Sequence, residues 1–273
     1  MRRSLLVTAL GPLDRLLARI MGGGFGLKDL FTVINLLGGV ASIGLAIMGH
    51  LWWASFAVIL GYLGDVLDGP VARLTGRQNR FGRELDNIAD HTTQCVAPAF
   101  VVFLAYRPWS LAAAFAGAAL LVVTGSIRHA RGASARFDFD LAWHGMPRPV
   151  AAFIVISFLN SQLFQVVPGG RYVGLGLVAS VAVLNLVPLP FMNHHGRRLQ
   201  WWVVASVVFM FLSGLAFALF VTRWFWDLVF AYILLYAFTS WIPMHPEERR
   251  AFFDASRRWR AELARQTPSE DGP

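Results

Sequence analysis

The chain has 273 residues, of which 56% are hydrophobic and only 15% are charged, and its apolar residues occur in long runs. This composition is typical of a protein with several membrane-spanning helices and argues against a water-soluble domain. The formal net charge of +8 does not indicate nucleic-acid binding, because the arginines lie between apolar runs. The single cysteine, Cys95, excludes an intrachain disulfide, and we expect it to be a buried, inert thiol.

Residues 1–28 predict an amphipathic helix that lies in the membrane interface. Leucine and isoleucine side chains recur at helical spacing, and Arg15 and Arg19 lie on the opposite face. Pro12, Asp14 and the two arginines interrupt any apolar core, so a cleaved signal peptide is not expected. Pro12 is expected to kink the helix or to delay its start. A plain leader without a specific role is the alternative.

About eight apolar segments follow, each near the ~20 residues that a helix needs to cross the hydrocarbon core of a bilayer. They cover residues 30–48, 51–72, 84–106, 110–127, 149–167, 172–192, 200–221 and 224–243. The sequence therefore predicts an all-α, polytopic membrane domain over residues 29–245, followed by a charged tail at 246–273. We expect this tail to begin as a solvated helix, with Phe252, Phe253 and Trp259 available to touch the membrane interface.

The positive charges alternate between successive loops. All but three of the 24 lysines and arginines fall on one side of the predicted membrane domain, and the exceptions are Arg107, Arg171 and Arg223. Because positively charged loops stay in the cytoplasm, we expect both termini at the cytoplasmic face. An even number of spans satisfies this requirement.

Four carboxylates stand out between Gly64 and Asp90. They belong to Asp65, Asp68, Asp86 and Asp90, at the end of the second apolar segment and the start of the third. Charge within a membrane domain is costly, so by default it marks a functional site. Residues three or four apart share a helix face, and a short basic turn makes the two helices antiparallel neighbours. We therefore expect the four carboxylates to lie together at the cytoplasmic face.

Four carboxylates this close would repel one another unless cations neutralise them. Oxygen ligands favour hard divalent ions, so the pattern predicts Mg²⁺ or Mn²⁺, and four carboxylates can hold two ions. Two such ions suit phosphoryl transfer, because they can clamp a diphosphate and orient the attacking oxygen. The alternative is that the acids only form ion pairs with the arginines of the turn. The regular spacing of the acids disfavours this alternative.

The small residues and the arginine beside these acids suit the same chemistry. Gly69 and Gly82 remove side chains where a nucleotide must approach the backbone. Ala72 keeps its helix face low, and Arg73 can pair with a phosphate. The stretch therefore predicts a nucleotide pocket beside the metal site.

One pattern, D-x2-D-G-x2-A-R-x8-G-x3-D-x3-D, is matched without departure by Asp65, Asp68, Gly69, Ala72, Arg73, Gly82, Asp86 and Asp90. It resembles the signature of the CDP-alcohol phosphatidyltransferase family. The resemblance implies a membrane enzyme that displaces CMP from a CDP-linked lipid, such as CDP-diacylglycerol, by direct attack of an alcohol hydroxyl at a two-metal site. Dimers are usual in that family, so a homodimer is expected.

The resemblance also implies a role for each matched position. Asp65, Asp68 and Asp86 are metal ligands, and Asp90 is a fourth ligand or the general base that deprotonates the alcohol. Asp86 and Asp90 are thus the catalytic pair. The CDP-lipid pocket is lined by Gly69, Ala72, Arg73 and Gly82, together with Asp65 and Asp68.

Three further stretches resemble phosphatidylserine synthases and favour L-serine as the alcohol. They are FTVINLLGG at 31–39, LDNIADHTTQCVAPAF at 85–100 and WHGMPRPVAA at 143–152, and SIRHARGASARF at 126–137 is similar more loosely. Serine needs an arginine for its carboxylate. The candidates at the predicted cytoplasmic face are Arg128, Arg131, Arg136 and Arg148. We expect one or two of them to bind phosphate or substrate and the others to set topology.

Other alcohols stay open. Residues 68–70 and 85–92 also look like bacterial phosphatidylcholine synthases, which use free choline. A quaternary amine favours an aromatic cage, to which Trp143, Trp201 and Trp202 could contribute, although tryptophan at a membrane interface is common. Glycerol 3-phosphate, inositol and inositol phosphate are further candidates.

An ion-coupled transporter is the alternative from a different class. Acidic residues of transporters usually lie near the membrane midplane, on interrupted helices of repeated halves. Here the acids cluster at one end of two consecutive segments, which favours the enzyme. His194 and His195 could form a metal pair, but adjacent residues of a helix face different ways, so we expect them to be interfacial.

Overall fold

A computed structural model describes residues 2–22, 24–75, 79–135, 137–192, 223–239, 242 and 244–265. The chain divides into two compact units, Met1–Ala118 and Ala119–Pro273. The predicted span at 200–221, and His194 and His195, lie outside the described residues. The predicted boundaries after residues 28 and 245 remain predictions.

The described part of the first unit is helical. Its helices are α1 (Arg2–Met21), α2 (Leu27–Ile47), α3 (Leu51–Thr75), α4 (Arg80–His91), a π-helical turn (Thr92–Val96), α5 (Ala97–Tyr106) and the beginning of α6 (Leu111–Ser134). The predicted N-terminal helix is present and includes Pro12 in its interior, so a start delayed to Pro12 is wrong. From α4 to α5 the chain forms one continuous helix, into which the π-helical turn inserts an extra residue.

The second unit adds five helices and a small antiparallel ribbon in its described residues. The helices are α7 (Arg148–Asn160), α8 (Leu163–Val166), α9 (Gly170–Leu186), α10 (Arg223–Thr239) and α11 (Pro246–Arg265). The strands β1 (Ala142–His144) and β2 (Pro190–Met192) pair with Trp143 opposite Phe191. The ribbon is a departure from the all-α prediction. Pro188 disfavours helix at the residue before it, so α9 ends at Leu186 and the predicted segment at 172–192 is too long.

Four of the described helical stretches are long and apolar enough to cross a membrane. They are Leu27–Ile47, Leu51–Asp68, Arg80–Tyr106 and Leu111–Ser134. They correspond to the first four predicted spans. Three further apolar helices are shorter, Arg148–Asn160, Gly170–Leu186 and Trp224–Thr239. The described part of the chain is thus mostly helical and contains four candidate membrane spans.

Glycine allows α2 and α3 to pack at very short range. A Cβ atom at Gly38 would lie 2.6 Å from the Cα atom of Gly61. A Cβ atom at Gly64 would lie 2.7 Å from the carbonyl oxygen of Phe31. The obstacles are backbone atoms, which cannot rotate away as a side chain can. Small residues therefore set the distance between these two helices, as they do at many helix contacts in membranes.

The α11 helix packs against the ribbon and the segment before it. Phe252 and Trp259 are buried, and Trp259 Nε1 donates a hydrogen bond to the carbonyl oxygen of Ala135 at 2.8 Å. The ring nitrogen Nε2 of His144 and Ser256 Oγ are hydrogen-bonded at 2.9 Å. These contacts tie the C-terminal helix to residues more than 100 positions earlier in the chain.

The prediction of a solvated tail is therefore wrong for the face of α11 that carries Phe252 and Trp259, whereas most of the charged residues of this helix are exposed. Phe252 makes edge-to-face contacts with Phe137 and Phe139, and Trp259 packs on the imidazole of His144. Burial, together with the charge of Arg128, lowers the pKa of His144 to about 4. The imidazole is consequently neutral at physiological pH and fits an aromatic cluster.

Replacement of Gly38 should destabilise the protein, whereas replacement of Gly44 in the same helix should not. Gly38→Ala inserts a methyl group against backbone, which costs about 1–3 kcal/mol in a packed site. A Cβ atom at Gly44 would meet nothing within 4 Å, so Gly44→Ala should stabilise α2 slightly. Thermal unfolding in detergent measures both. Equal melting temperatures for the two variants would contradict the close-packing argument.

Truncation of Trp259 should release α11 from the ribbon. Trp259→Ala removes a buried ring and one hydrogen bond, a change that typically costs about 3–5 kcal/mol in a core. Phe253, which is 44% exposed, provides the matched control as Phe253→Ala. Trypsin should cleave at Arg257 and Arg258 faster in Trp259→Ala than in wild type or control. Identical cleavage rates in both variants would show that α11 is not held by this ring.

Candidate metal centre and active site

Three carboxylates lie close together, two from the C-terminal part of α3 and one from α4. Each of Asp65, Asp68 and Asp86 offers one oxygen, and these oxygens lie within 4.8 Å of one another. All three side chains are half-buried. The expectation that the two helix ends bring these acids together is confirmed for this group.

Asp90 lies beside this group and is held by side-chain amides. Its Oδ1 atom accepts hydrogen bonds from Asn35 Nδ2 at 3.0 Å and from Gln94 Nε2 at 2.7 Å. Gln94 Nε2 also lies 3.4 Å from Asp65 Oδ2, so the amide of Gln94 bridges the carboxylates of Asp65 and Asp90. Asp90 thus joins the group through Gln94, and the amides of Gln94 and Asn35 orient its carboxylate.

The α2 helix supplies the donors that reach the acids. Thr32 Oγ1 donates to Asp68 Oδ2 at 3.2 Å, one turn before Asn35 on the same helix face. Both α2 side chains are fully buried. Asn35 is itself held through its backbone carbonyl oxygen, which accepts a hydrogen bond from Thr93 Oγ1 at 2.7 Å. The acids therefore rest on a buried polar network rather than on apolar side chains.

Neither α2 residue was identified as a site residue from the sequence. Both lie in the stretch 31–39, which was noted only for its resemblance to one group of enzymes. A usable signal was present, because Thr32 and Asn35 are polar residues three positions apart in an apolar membrane segment. Gln94 carried a weaker signal, since its role depends on the π-helical turn that contains it.

The acidic group is chemically suited to a divalent cation. Three half-buried carboxylates within 4.8 Å repel one another, and a bound cation removes that repulsion. The ligand atoms are all carboxylate oxygens, which is the donor set that Mg²⁺, Mn²⁺ and Ca²⁺ prefer over softer metals. The residues present therefore fit a hard divalent ion.

Gly82 has a packing reason to be glycine. A Cβ atom there would lie 2.5 Å from Asp29 Oδ1 and would overlap the ammonium group of Lys28. Its amide donates to Asn79 Oδ1 at 2.7 Å, which caps the start of α4. Gly82 therefore lets α4 rest directly on the first turn of α2.

The remaining predicted pocket residues lie along the last two turns of α3. Ala72 is half-buried, one turn beyond Asp68. Gly69 and Arg73 are helical, but the side chain of Arg73 is outside the described part of the structure. Their part in nucleotide binding remains a prediction.

The four candidate arginines belong to the second unit. Arg128 donates to the carbonyl oxygens of His144 at 2.5 Å and Asn185 at 3.4 Å, and Arg131 donates to that of Leu186 at 3.4 Å. Both side chains thus bind carbonyl oxygens at the end of α9, as cations at helix C-termini often do. Arg148 is hydrogen-bonded to His129 at 3.1 Å, and Arg136 lies outside the described residues.

Comparison with known proteins gives a consistent result. The family model of CDP-alcohol phosphatidyltransferases matches residues 27–184. A CDP-diacylglycerol–serine O-phosphatidyltransferase of Helicobacter pylori is 28% identical over 193 residues, which cover 69% of this chain and 80% of that protein. A phosphatidylcholine synthase of Rhizobium johnstonii is 27% identical over 169 residues, covering 59% of this chain and 63% of that one.

Among solved structures, the chain is similar to phosphatidylinositol phosphate synthase of Mycobacterium tuberculosis with CDP-DAG bound. The TM-score is 0.48 and the sequence identity 25%, and the match covers 64% of this chain and 88% of that chain.

Loss of one carboxylate should weaken metal binding directly. Asp86→Asn keeps the shape of the side chain but removes its charge, so the Kd for Mn²⁺ should rise at least tenfold. Glu84, exposed on the same helix, gives the control Glu84→Gln, for which the Kd should not change. The Mn²⁺ bound to purified protein can be titrated by electron paramagnetic resonance. Equal affinities in the two variants would argue against a metal site at this group.

Proposed function

Because this chain belongs to the CDP-alcohol phosphatidyltransferase family, whose members are transferases of substituted phosphate groups, we propose that it transfers the phosphatidyl group of CDP-diacylglycerol to L-serine. The products are a phosphatidyl lipid and CMP. The observation that carries the reaction type is the acidic group of Asp65, Asp68 and Asp86, which lies within the region matched by the family model.

The three carboxylates would hold the divalent ions, with Asp90 as a fourth ligand or as the base. Two bound ions, Mg²⁺ or Mn²⁺, supply positive charge that offsets the developing charge of the leaving phosphate. The serine hydroxyl attacks the β-phosphorus, the bond from that phosphorus to the bridging oxygen breaks, and CMP leaves with that oxygen. No covalent link to the protein is needed.

Asp90 is the best-supported candidate for the base that takes the hydroxyl proton. Its hydrogen bonds from Asn35 and Gln94 fix the plane of the carboxylate, and a positioned base is worth more than a mobile one. The same bonds stabilise its ionised form, which is the form that can accept a proton. Asp65 and Asp68 are better suited to metal binding, because their oxygens lie within 4.8 Å of an oxygen of Asp86.

We assign the CDP pocket to the faces of α3 and α4 that carry the acids. Gly69, Ala72 and Gly82 would leave space for the nucleotide, and Arg73 would pair with a phosphate. Support comes from position, because Ala72 follows Asp68 by four residues and Gly82 precedes Asp86 by four.

Serine is favoured over choline by the extent of the similarity. The serine-using relative aligns over 69% of this chain, against 59% for the choline-using one. Among possible cage residues for choline, Trp143 is 42% exposed, while Trp201 and Trp202 lie outside the described residues. The candidates for the serine carboxylate stay Arg128, Arg131, Arg136 and Arg148.

We also propose eight spans with both termini and the acidic group at the cytoplasmic face. The distribution of arginines between loops supports this orientation. The four long apolar helices agree with the first half of this arrangement. A homodimer is part of the same proposal and rests on the family alone.

An alcohol panel tests the function. Purified protein with Mn²⁺ and CDP-diacylglycerol should release CMP when serine is supplied, and much less with choline, glycerol 3-phosphate, inositol or inositol phosphate. Asp86→Asn should abolish release with every alcohol. If CMP were released only with choline, choline and not serine would be the acceptor. Solute uptake by vesicles without any CMP release would favour a transporter instead.

A further inference from the structure

Lys28 is the only lysine in a chain that contains 24 lysines and arginines. Its side chain is only 12% exposed, and its ammonium group lies 2.5 Å from Asp29 Oδ1. In the sequence it counted merely as one more positive charge of the N-terminal segment. The structure instead places it inside a junction of three segments, where a charge needs a reason.

The position of Lys28 is unfavourable for a cation on two grounds. A lysine is rarely buried, because desolvation of its ammonium group is costly. Lys28 also lies in the first turn of α2, where the helix dipole favours negative charge and opposes positive charge. Asp29 offsets part of both costs, but Asp29 is already engaged, since its Oδ2 atom accepts a hydrogen bond from Gly26 N at 2.8 Å.

The surrounding backbone is arranged to hold this junction together. Asp14 Oδ1 accepts a hydrogen bond from the amide of Leu27 at 2.7 Å, which ties α1 to the start of α2. Asn79 Nδ2 donates to the carbonyl oxygen of Gly24 at 2.6 Å, which ties the same loop to the start of α4. Lys28 is therefore held at a defined place against α4.

That place adjoins the predicted donor site. The ammonium group of Lys28 occupies the space that a side chain at Gly82 would fill. Gly82 precedes Asp86 by four residues, so the two positions are neighbours on one face of α4, about 5–6 Å apart between Cβ positions. A phosphate bound through a metal ion at Asp86 and extending toward Gly82 would come within reach of Lys28.

We propose that Lys28 binds the diphosphate of the CDP-linked lipid, with its ammonium group moving from Asp29 to a phosphate oxygen. This inference rests on the proposed function and adds a donor-binding residue that lies outside the eight-residue acidic pattern. A compact ammonium suits the space against Gly82, whereas a guanidinium is larger and planar. Lys28 thereby strengthens donor binding without taking part in proton transfer.

The single lysine makes a direct test possible on the unaltered protein. An amine-reactive acetylating reagent can modify Lys28 and the N-terminal amine, and mass spectrometry of the peptides separates the two. Mn²⁺ with CDP-diacylglycerol, in the absence of any alcohol, should slow acetylation of Lys28 about tenfold and leave the N-terminal amine unaffected. Bound CDP-diacylglycerol that left the rate at Lys28 unchanged would overturn the proposal.

A pair of variants separates donor binding from folding. Lys28→Gln keeps a hydrogen-bond donor for Asp29 but removes the charge, and it should raise the Kd and KM for CDP-diacylglycerol about tenfold. Its kcat, its KM for the alcohol and its Kd for Mn²⁺ should stay unchanged. The control is Arg80→Gln, which removes an exposed charge at the start of α4 and should leave donor binding unchanged.

The outcomes distinguish three cases. A lower melting temperature of Lys28→Gln with wild-type donor affinity would make Lys28 purely structural and overturn the proposal. Equal weakening by Lys28→Gln and Arg80→Gln would reduce Lys28 to a general electrostatic effect and overturn it as well. Failure of the wild-type protein to bind CDP-diacylglycerol would overturn the proposed function itself.

Discussion

The short distance between α2 and α3 is the constraint on which the acidic site depends. Gly38 and Gly61 meet backbone to backbone, and a Cβ atom at Gly61 would lie 2.9 Å from both Asn35 O and Thr93 Cγ2. Side chains at these positions would push α2 away from its neighbours by a carbon atom or more. The hydrogen bond from Asn35 to Asp90 is 3.0 Å long and would not survive such a shift. The geometry of the acidic site thus depends directly on how closely α2 packs against its neighbours.

The same constraint explains why α2 matters although it carries none of the four acids. The sequence predicts that α3 and α4 are antiparallel neighbours that bring the four carboxylates together. The structure adds α2 as a common support, since Thr32 reaches Asp68 and Asn35 reaches Asp90. Buried polar groups of this kind are costly unless they are fully hydrogen-bonded, so each donor has to meet its acceptor closely. A support of this kind keeps the carboxylates at defined distances from one another.

How much could be predicted from the sequence depends on how far apart in the chain the interacting residues lie. Helices and the spacing of acids on one helix depend on neighbours three and four residues away, so the first four apolar helices were predictable. The grouping of Asp86 with Asp65 and Asp68 was predictable as well, because only a short turn joins the two helices. The π-helical turn left no periodic signal, because it changes the helix by one residue and keeps its apolar composition. The contribution of Gln94 was therefore hidden.

Long-range pairing accounts for the other failures. The ribbon joins Trp143 to Phe191, and neither three-residue strand carries a pattern of its own. Trp259 and Phe252 had the spacing of an amphipathic helix, but whether such a face meets lipid or protein depends on Ala135 and His144, far away in the chain. Because the chain is rich in apolar membrane segments, the sequence favoured contact with the membrane interface. In the structure, this face of the helix packs against other residues of the same chain instead.

Positive charge in this chain makes contacts that the distribution of arginines between loops does not predict. Arg128 and Arg131 count as topology-setting charges in the sequence prediction, yet their guanidinium groups bind the carbonyl oxygens at the end of α9. A planar guanidinium with five donors can bind several carbonyls at once, which a lysine cannot do. Lys28, the single lysine of the chain, instead places one compact ammonium group against Gly82.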